Sequence, residues 1–207
     1  MNKCERKLLL LQGFPGSGKT TMSEKFISEN RGAMHVSIGD IWRNIKTGKV
    51  ASKYSEYIMN ADITKMQPNE ITNDLIFEKV LQQENQDHLV IIDGYPRCSD
   101  AVELFIGSSR QEKCRLLGCI CLQSTIKNST ERMVGRGIRR GEEEFLAKKI
   151  TAADRYNQYK IETYDKTLRK LSEYMPLQYI DANRSIEQVY ADFVISLSKM
   201  SSEEYGE

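Results

Sequence analysis

A doubly wound α/β fold, with a five-stranded parallel sheet and helices on both its faces, is what this chain of 207 residues predicts. Short apolar runs at Leu8–Leu11, Leu89–Ile92 and Leu116–Leu122 alternate with longer stretches of helical spacing. Unbroken apolarity, rather than every-second-residue apolarity, marks strands buried on both faces. The first run passes directly into a glycine-rich turn and then a helical stretch, the strand–loop–helix unit of a parallel sheet. No internal repeat, low-complexity tract or Pro/Gly/Ser-rich linker interrupts the alternation, so one domain over 1–207 is expected.

Each element follows from its own pattern. Lys7–Gln12 reads as a strand, and Lys19–Glu29 as the helix after the turn. Met34–Ser37 is a second strand; helical segments follow at about Ile41–Thr47, Tyr54–Met59 and Glu70–Glu84. Leu89–Asp93 is a strongly apolar strand, followed by a helix over Asp100–Ile106 and a buried strand over Leu116–Leu122. Asn128–Arg136 reads as a helix with Asn, Ser or Thr near its cap. Phe145–Tyr174 forms one long helix or two, Leu177–Ile180 a short strand and Ser185–Lys199 a closing helix. In such a sheet, ligands bind at the carboxyl ends of the strands.

Composition narrows the function. Thirty basic residues face 29 acidic ones, for a net charge of +1. That balance points away from a nucleic-acid surface or a polybasic membrane tether. An anion site must then come from local placement of charge. Five cysteines, an odd number without a CxxC pair, argue against a disulfide framework and for a reducing compartment. No stretch reaches the length of a membrane span, and Met1–Leu11 lacks the features of a cleaved signal. The expected address is the cytoplasm, with no membrane partner.

Gly13-Phe14-Pro15-Gly16-Ser17-Gly18-Lys19-Thr20 fits G-x-x-x-x-G-K-[ST] between an apolar strand and a helix. Glycines let backbone N–H groups converge on phosphate oxygens, and the helix adds its positive dipole end. The motif makes the fold one of P-loop NTPase type. Lys19 would reach the β- and γ-phosphates of ATP, and the Thr20 hydroxyl would face Mg²⁺. Asp93 closes an apolar strand, where a carboxylate suits a water-mediated Mg²⁺ contact. Gly94 and Pro96 force a sharp turn that aims Arg97 across the strand ends.

Phe14-Pro15-Gly16-Ser17-Gly18-Lys19 together with Asp93-Gly94-Tyr95-Pro96-Arg97 resembles the adenylate kinase family, including the UMP/CMP kinases. The similarity runs nearly the whole chain: His35–Arg43 resembles the segment that opens the monophosphate site. Pro68-Asn69-Glu70-Ile71-Thr72 is nearest to the UMP/CMP branch, and Tyr179–Ala182 with Ile186–Tyr190 resembles the family's C-terminal end. The resemblance implies transfer of the γ-phosphoryl of ATP to a nucleoside monophosphate, with Mg²⁺, by a monomer. AMP is the favoured acceptor; UMP or CMP, or a catalytically weak nucleotide-binding module, are the alternatives.

By the same resemblance, Gly13, Pro15, Gly16, Ser17, Gly18, Lys19, Thr20, Thr21 and Arg132 bind ATP, while Ile38, Gly39, Arg43, Gly94 and Arg97 bind the acceptor. Lys19, Arg43, Arg97, Arg136 and Arg155 are the catalytic set, and Thr20 and Asp93 the metal pair. Helices within about 38–68 cover the monophosphate site, and a short lid lies at about 136–145. That lid reads GRGIRRGEEEFL around positions 135–146, has no cysteine for a zinc cluster, and leaves Arg139 and Arg140 as alternative lid arginines. No general base is expected, because an oriented phosphate oxygen is already a nucleophile, and His35 and His88 read as structural residues at strand edges. Besides the short lid, the chain departs from the family at Thr20-Thr21, where the family usually has glycine then threonine, and at two base-reading positions. Ile38 replaces a small or hydroxyl residue, and Ala101 stands where adenylate kinases usually place an adenine-reading glutamine.

Overall fold

The computed structural model describes residues 6–62, 67–82, 89–139 and 164–202, with the side chains of 136–139 left out of the description. Five strands, β1 (Lys7–Gly13), β2 (Ala33–Ser37), β3 (Leu89–Asp93), β4 (Arg115–Gln123) and β5 (Leu177–Asp181), form one parallel sheet in the order β2-β3-β1-β4-β5. Connecting them are α1 (Lys19–Glu29), α2 (Ile38–Lys46), α3 (Ser55–Asn60), α4 (Asn69–Leu81), α5 (Ser99–Gln111), α6 (Ile126–Arg139), α7 (Asp165–Leu171) and α8 (Ile186–Ser202).

The four-leucine run explains why the sheet needs helices on both sides. Leu8 and Leu10 pack into one apolar cluster with Val90, Ile92, Trp42 and Phe105. Leu9 and Leu11 pack into a second with Ile91, Ile120, Phe26 and Phe193. Successive side chains of a strand point to opposite faces, so one unbroken run feeds two cores. All four leucines are fully buried, and each contributes about 2 kcal/mol relative to exposure.

The β3 bounds match expectation residue for residue, and the other strands differ by one residue at an end or at both ends. Several helices differ by more than one residue at an end, and in α2 and α5 the reason is visible. α2 begins three residues earlier than expected because the Ser37 hydroxyl accepts from Asp40 N at 3.3 Å and caps it. α5 runs past Gly107-Ser108-Ser109, a stretch that reads as a break. Its polar residues are satisfied inside the fold: Ser109 Oγ donates to Phe105 O at 2.8 Å, and Asn73 Nδ2 donates to Ser108 Oγ at 2.8 Å. α4 ends at Leu81 rather than near Glu84. α6 begins after Thr125, whose Oγ1 accepts from Asn128 N at 3.2 Å. Ser185 and Gln188 exchange hydrogen bonds at 3.3 Å as a capping box for α8. Within the expected helical stretch Phe145–Tyr174, residues 145–163 lie outside the described residues. No described helix is long and apolar enough to cross a membrane.

Candidate functional site

Parallel pairing brings the ends of β1, β2 and β3 to one edge: Leu11 pairs with Asp93, and Asp93 with Ser37. The phosphate loop starts there. Gly13 has φ +150°, and a Cβ on it would come within 2.6 Å of Leu122 O and Ser17 Oγ. Gly16 has φ +83°, and a Cβ there would reach 2.2 Å from Ser129 O on α6. The loop is therefore pressed against β4 and α6 so closely that only glycine fits. Ser17 N donates to Phe14 O at 3.0 Å, Ser17 itself is buried and Pro15 is half-buried. Gly18 takes the left-handed conformation at φ +97° and leads straight into α1, which has no side-chain cap. Its first amides are thus left for an anion.

Lys19 Nζ donates to Gly13 O at 2.9 Å and Phe14 O at 3.1 Å, which holds the ammonium on the loop it would serve. One residue on, Thr20 Oγ1 donates to Asp93 Oδ2 at 2.9 Å. Asp93 is 5% exposed, and burial opposes its charge. His35, the Lys19 ammonium and the Thr20 hydroxyl outweigh burial and hold the carboxyl below its ordinary range. Thr21 is exposed on α1.

On the other side of Asp93 the turn does what its glycine and proline suggest. Gly94 sits at φ +80°, and Arg97 Nε donates back to Gly94 O at 2.8 Å. Arg97 and Arg43 line one cavity of about 120 Å³, together with Ile38, Gly39, Trp42 and residues of α4. Arg43 is paired with Asp40 one turn earlier on α2, and its side chain is 40% exposed. Arg132 Nη2 donates to Ala182 O at 2.8 Å and ties α6 to the end of β5. The structure thus gathers two groups at one sheet edge: the phosphate loop with Thr20 and Asp93, and Ile38, Gly39, Arg43 and Arg97 around the cavity; Gly94 is not in the lining but lies beside Arg97 and Ile38. The side chain of Arg136, and all of Arg140 and Arg155, lie outside the described residues, as does the expected lid beyond Arg139.

Sequence reasoning missed two features. His35 reads as structural, and its buried Nε2 lies 3.4 Å from Asp93 Oδ2, where it helps hold that carboxyl ionised. Only the placement of β2 beside β3 reveals that approach, and no local pattern gives strand order. The cavity also takes in Trp42, Gln67, Asn69, Thr72 and Tyr95. Asn69 and Thr72 sit at i and i+3 on α4, a spacing that the segment Pro68–Thr72 carries in plain view.

Transfer of a phosphoryl group asks little covalent chemistry of a protein and much positioning of anions. A backbone cradle beside an arginine-lined cavity supplies that positioning, and the class it defines is the ATP-dependent nucleoside monophosphate kinases. The chain belongs to the adenylate kinase family, whose model, described as adenylate kinase, matches residues 11–175. It is 30% identical over 190 residues to the adenylate kinase of Oenococcus oeni, a match covering 89% of this chain and 94% of that one. The adenylate kinases of Streptococcus pyogenes and Streptococcus agalactiae are each 29% identical over 137 residues, covering 64% of this chain and 61% of theirs.

Proposed function

We propose that the chain moves the γ-phosphoryl of ATP to AMP, giving two molecules of ADP. The observation that carries the reading is Arg43 and Arg97 on one cavity, separated from the phosphate loop by the end of β3. A monophosphate in that cavity meets two guanidinium forks suited to its oxygens. The relatives named above as adenylate kinases favour adenine as the base. UMP or CMP is the second reading, favoured by the segment Pro68–Thr72 on the cavity wall.

In this reading the loop amides from Gly13 to Thr20 hold the donor's phosphates, and Lys19 leaves the two loop carbonyls for the β- and γ-phosphates. Arg132 lies by the donor's adenine, and Thr21 and Pro15 border the donor site. Arg43 and Arg97 hold the acceptor's phosphate, with Ile38, Gly39 and Gly94 beneath it. An acceptor phosphate oxygen forms the new P–O bond to the γ-phosphorus. The bridging oxygen then keeps the electron pair of the bond that breaks and leaves on ADP. Arg136 and Arg155 offset charge on the group in flight. No residue needs to take a proton, since the attacking oxygen is already anionic.

Mg²⁺ suits the donor set present. Thr20 offers a hydroxyl oxygen and Asp93 a carboxylate held ionised, both hard ligands. Among the described residues no group of three His, Cys, Asp or Glu could hold a metal alone, which fits an ion bound chiefly through phosphate and water. Bound with ATP, Mg²⁺ supplies neutralisation of charge on the β- and γ-oxygens. The segments at about 38–68 and 136–145 close over the two nucleotides and exclude water. Both sites lie on one chain, so a monomer suffices.

A coupled assay of ADP formation with AMP, UMP, CMP, GMP and dTMP tests the proposal. Turnover greatest with AMP supports it. Turnover greatest with UMP or CMP transfers the assignment to the second reading, and no turnover with any of the five sinks the kinase function.

A further inference from the structure

The position at which adenylate kinases place an adenine-reading glutamine holds Ala101 here, and Ala101 is fully buried, its carbonyl accepting from the Tyr95 hydroxyl at 3.5 Å. An acceptor base must therefore find its polar partner elsewhere. The cavity lined by Arg43 and Arg97 offers one neutral side chain with both donor and acceptor capacity that is poorly used. Asn69 opens α4 yet makes no capping bond; Pro68 precedes it as the cap residue. Its amide instead turns across to the next turn of chain. Asn69 Nδ2 donates to Cys98 Sγ at 3.4 Å, and Cys98 Sγ–H donates to Asn69 Oδ1 at 3.6 Å. A thiol is a weak donor and a weak acceptor, so these contacts are easily exchanged for better ones. Ile38, 2% exposed, and Trp42, 4% exposed, line the same cavity, beside the polar side chains of Gln67 and Thr72. Trp42 Nε1 is itself a buried donor without a partner among the described residues. A planar ligand with a polar edge matches a cavity that sets the Trp42 and Tyr95 rings beside the Asn69 amide.

Resting on the kinase reading above, we propose that Asn69 is the residue that binds the edge of the acceptor base: it gives up the Cys98 thiol and pairs with that edge. A side-chain amide presents a carbonyl oxygen and an N–H in one plane, complementary to a base edge that carries a donor next to an acceptor. The amide can turn over, because the thiol accepts from one end and donates to the other. Asn69 therefore pairs with amino-bearing bases (adenine, cytosine) in one orientation and with keto-bearing bases (uracil) in the other. Thr72, one turn further along α4 and 5% exposed, borders the same space.

Kinetics of the whole chain with AMP, CMP and UMP at saturating ATP test this, alongside Asn69→Ala and Asn69→Asp. Loss of a two-bond contact to a base edge raises the acceptor KM roughly 5- to 100-fold in Asn69→Ala. The KM for ATP and the melting temperature stay at wild-type values, which a merely structural role would not allow. Asn69→Asp carries acceptors only and keeps one bond of the two, to the amino group of adenine or cytosine or to N3–H of uracil, so the acceptor KM rises for all three nucleotides. Unchanged acceptor KM values in both variants overturn the assignment, as does a parallel loss of ATP affinity and melting temperature. Failure of the wild-type chain to phosphorylate any of the three sinks the kinase reading itself, a different result from an active wild type with indifferent variants.

Discussion

Gly16→Ala tests how tightly the phosphate loop is held. An added Cβ would lie 2.2 Å from Ser129 O, a backbone atom that no side-chain rotation can remove. Ordinary carbon–oxygen contact is about 3.3 Å, so the loop and α6 must separate by roughly 1 Å. Overpacking of this kind costs about 1–3 kcal/mol, and the left-handed conformation at φ +83° costs an alanine about 1–2 kcal/mol more. Gly18→Ala provides the control. Gly18 has φ +97° but nothing within 4 Å of its Cβ position, so alanine there costs only the conformational part, about 1–2 kcal/mol. Denaturant unfolding of both variants isolates the close approach as their difference, about 1–3 kcal/mol against Gly16→Ala. A displacement of 1 Å at the cradle also lowers transfer by up to about 100-fold. Equal destabilisation of the two variants would refute the argument that α6 abuts the loop.

Lys19→Ala removes a cation that donates to two loop carbonyls and helps hold Asp93 ionised. The prediction is a folded protein by circular dichroism with ADP formation down at least about 100-fold; wild-type-like turnover would remove Lys19 from the site. Arg97→Ala should lower kcat/KM for the acceptor by roughly 100-fold while the KM for ATP stays near wild type, as steady-state kinetics with both substrates varied will show. Asp74 gives a pH prediction. The Tyr54 hydroxyl, donating at 2.6 Å, and then Lys53 hold its carboxyl below the ordinary 3.8. A depressed value means stability that is present above the unfolded pKa of 3.8 and lost as pH falls through the folded one. With Asp74 47% exposed, the contribution is no more than about 1 kcal/mol. Unfolding measured from pH 6 to pH 3 should show a steeper loss in acid for wild type than for Asp74→Asn, converging at the acid end.

The sequence showed most clearly what is local. The motif Gly13–Thr20 needs only its own residues and flanking patterns to be read, and β3 needs only its apolar run and the glycine after it. α5 was harder to read: Gly107-Ser108-Ser109 weakens a helix in isolation, and the partners that restore it, Phe105 O and Asn73 Nδ2, act through burial or through a distant helix. Arg43 and Arg97 stand out in their segments, but their sharing of one cavity depends on the strand order.

Taken alone, the sequence determined the parallel sheet, the phosphate loop and the acidic strand end, because backbone propensity, apolar periodicity and glycine spacing act over a few residues at a time. Tertiary structure decided what stands beside what: His35 at 3.4 Å from Asp93, α6 against Gly16, and Asn69 across from Cys98. Those meetings join residues tens of positions apart, brought together by strand pairing and helix packing, which no local pattern encodes.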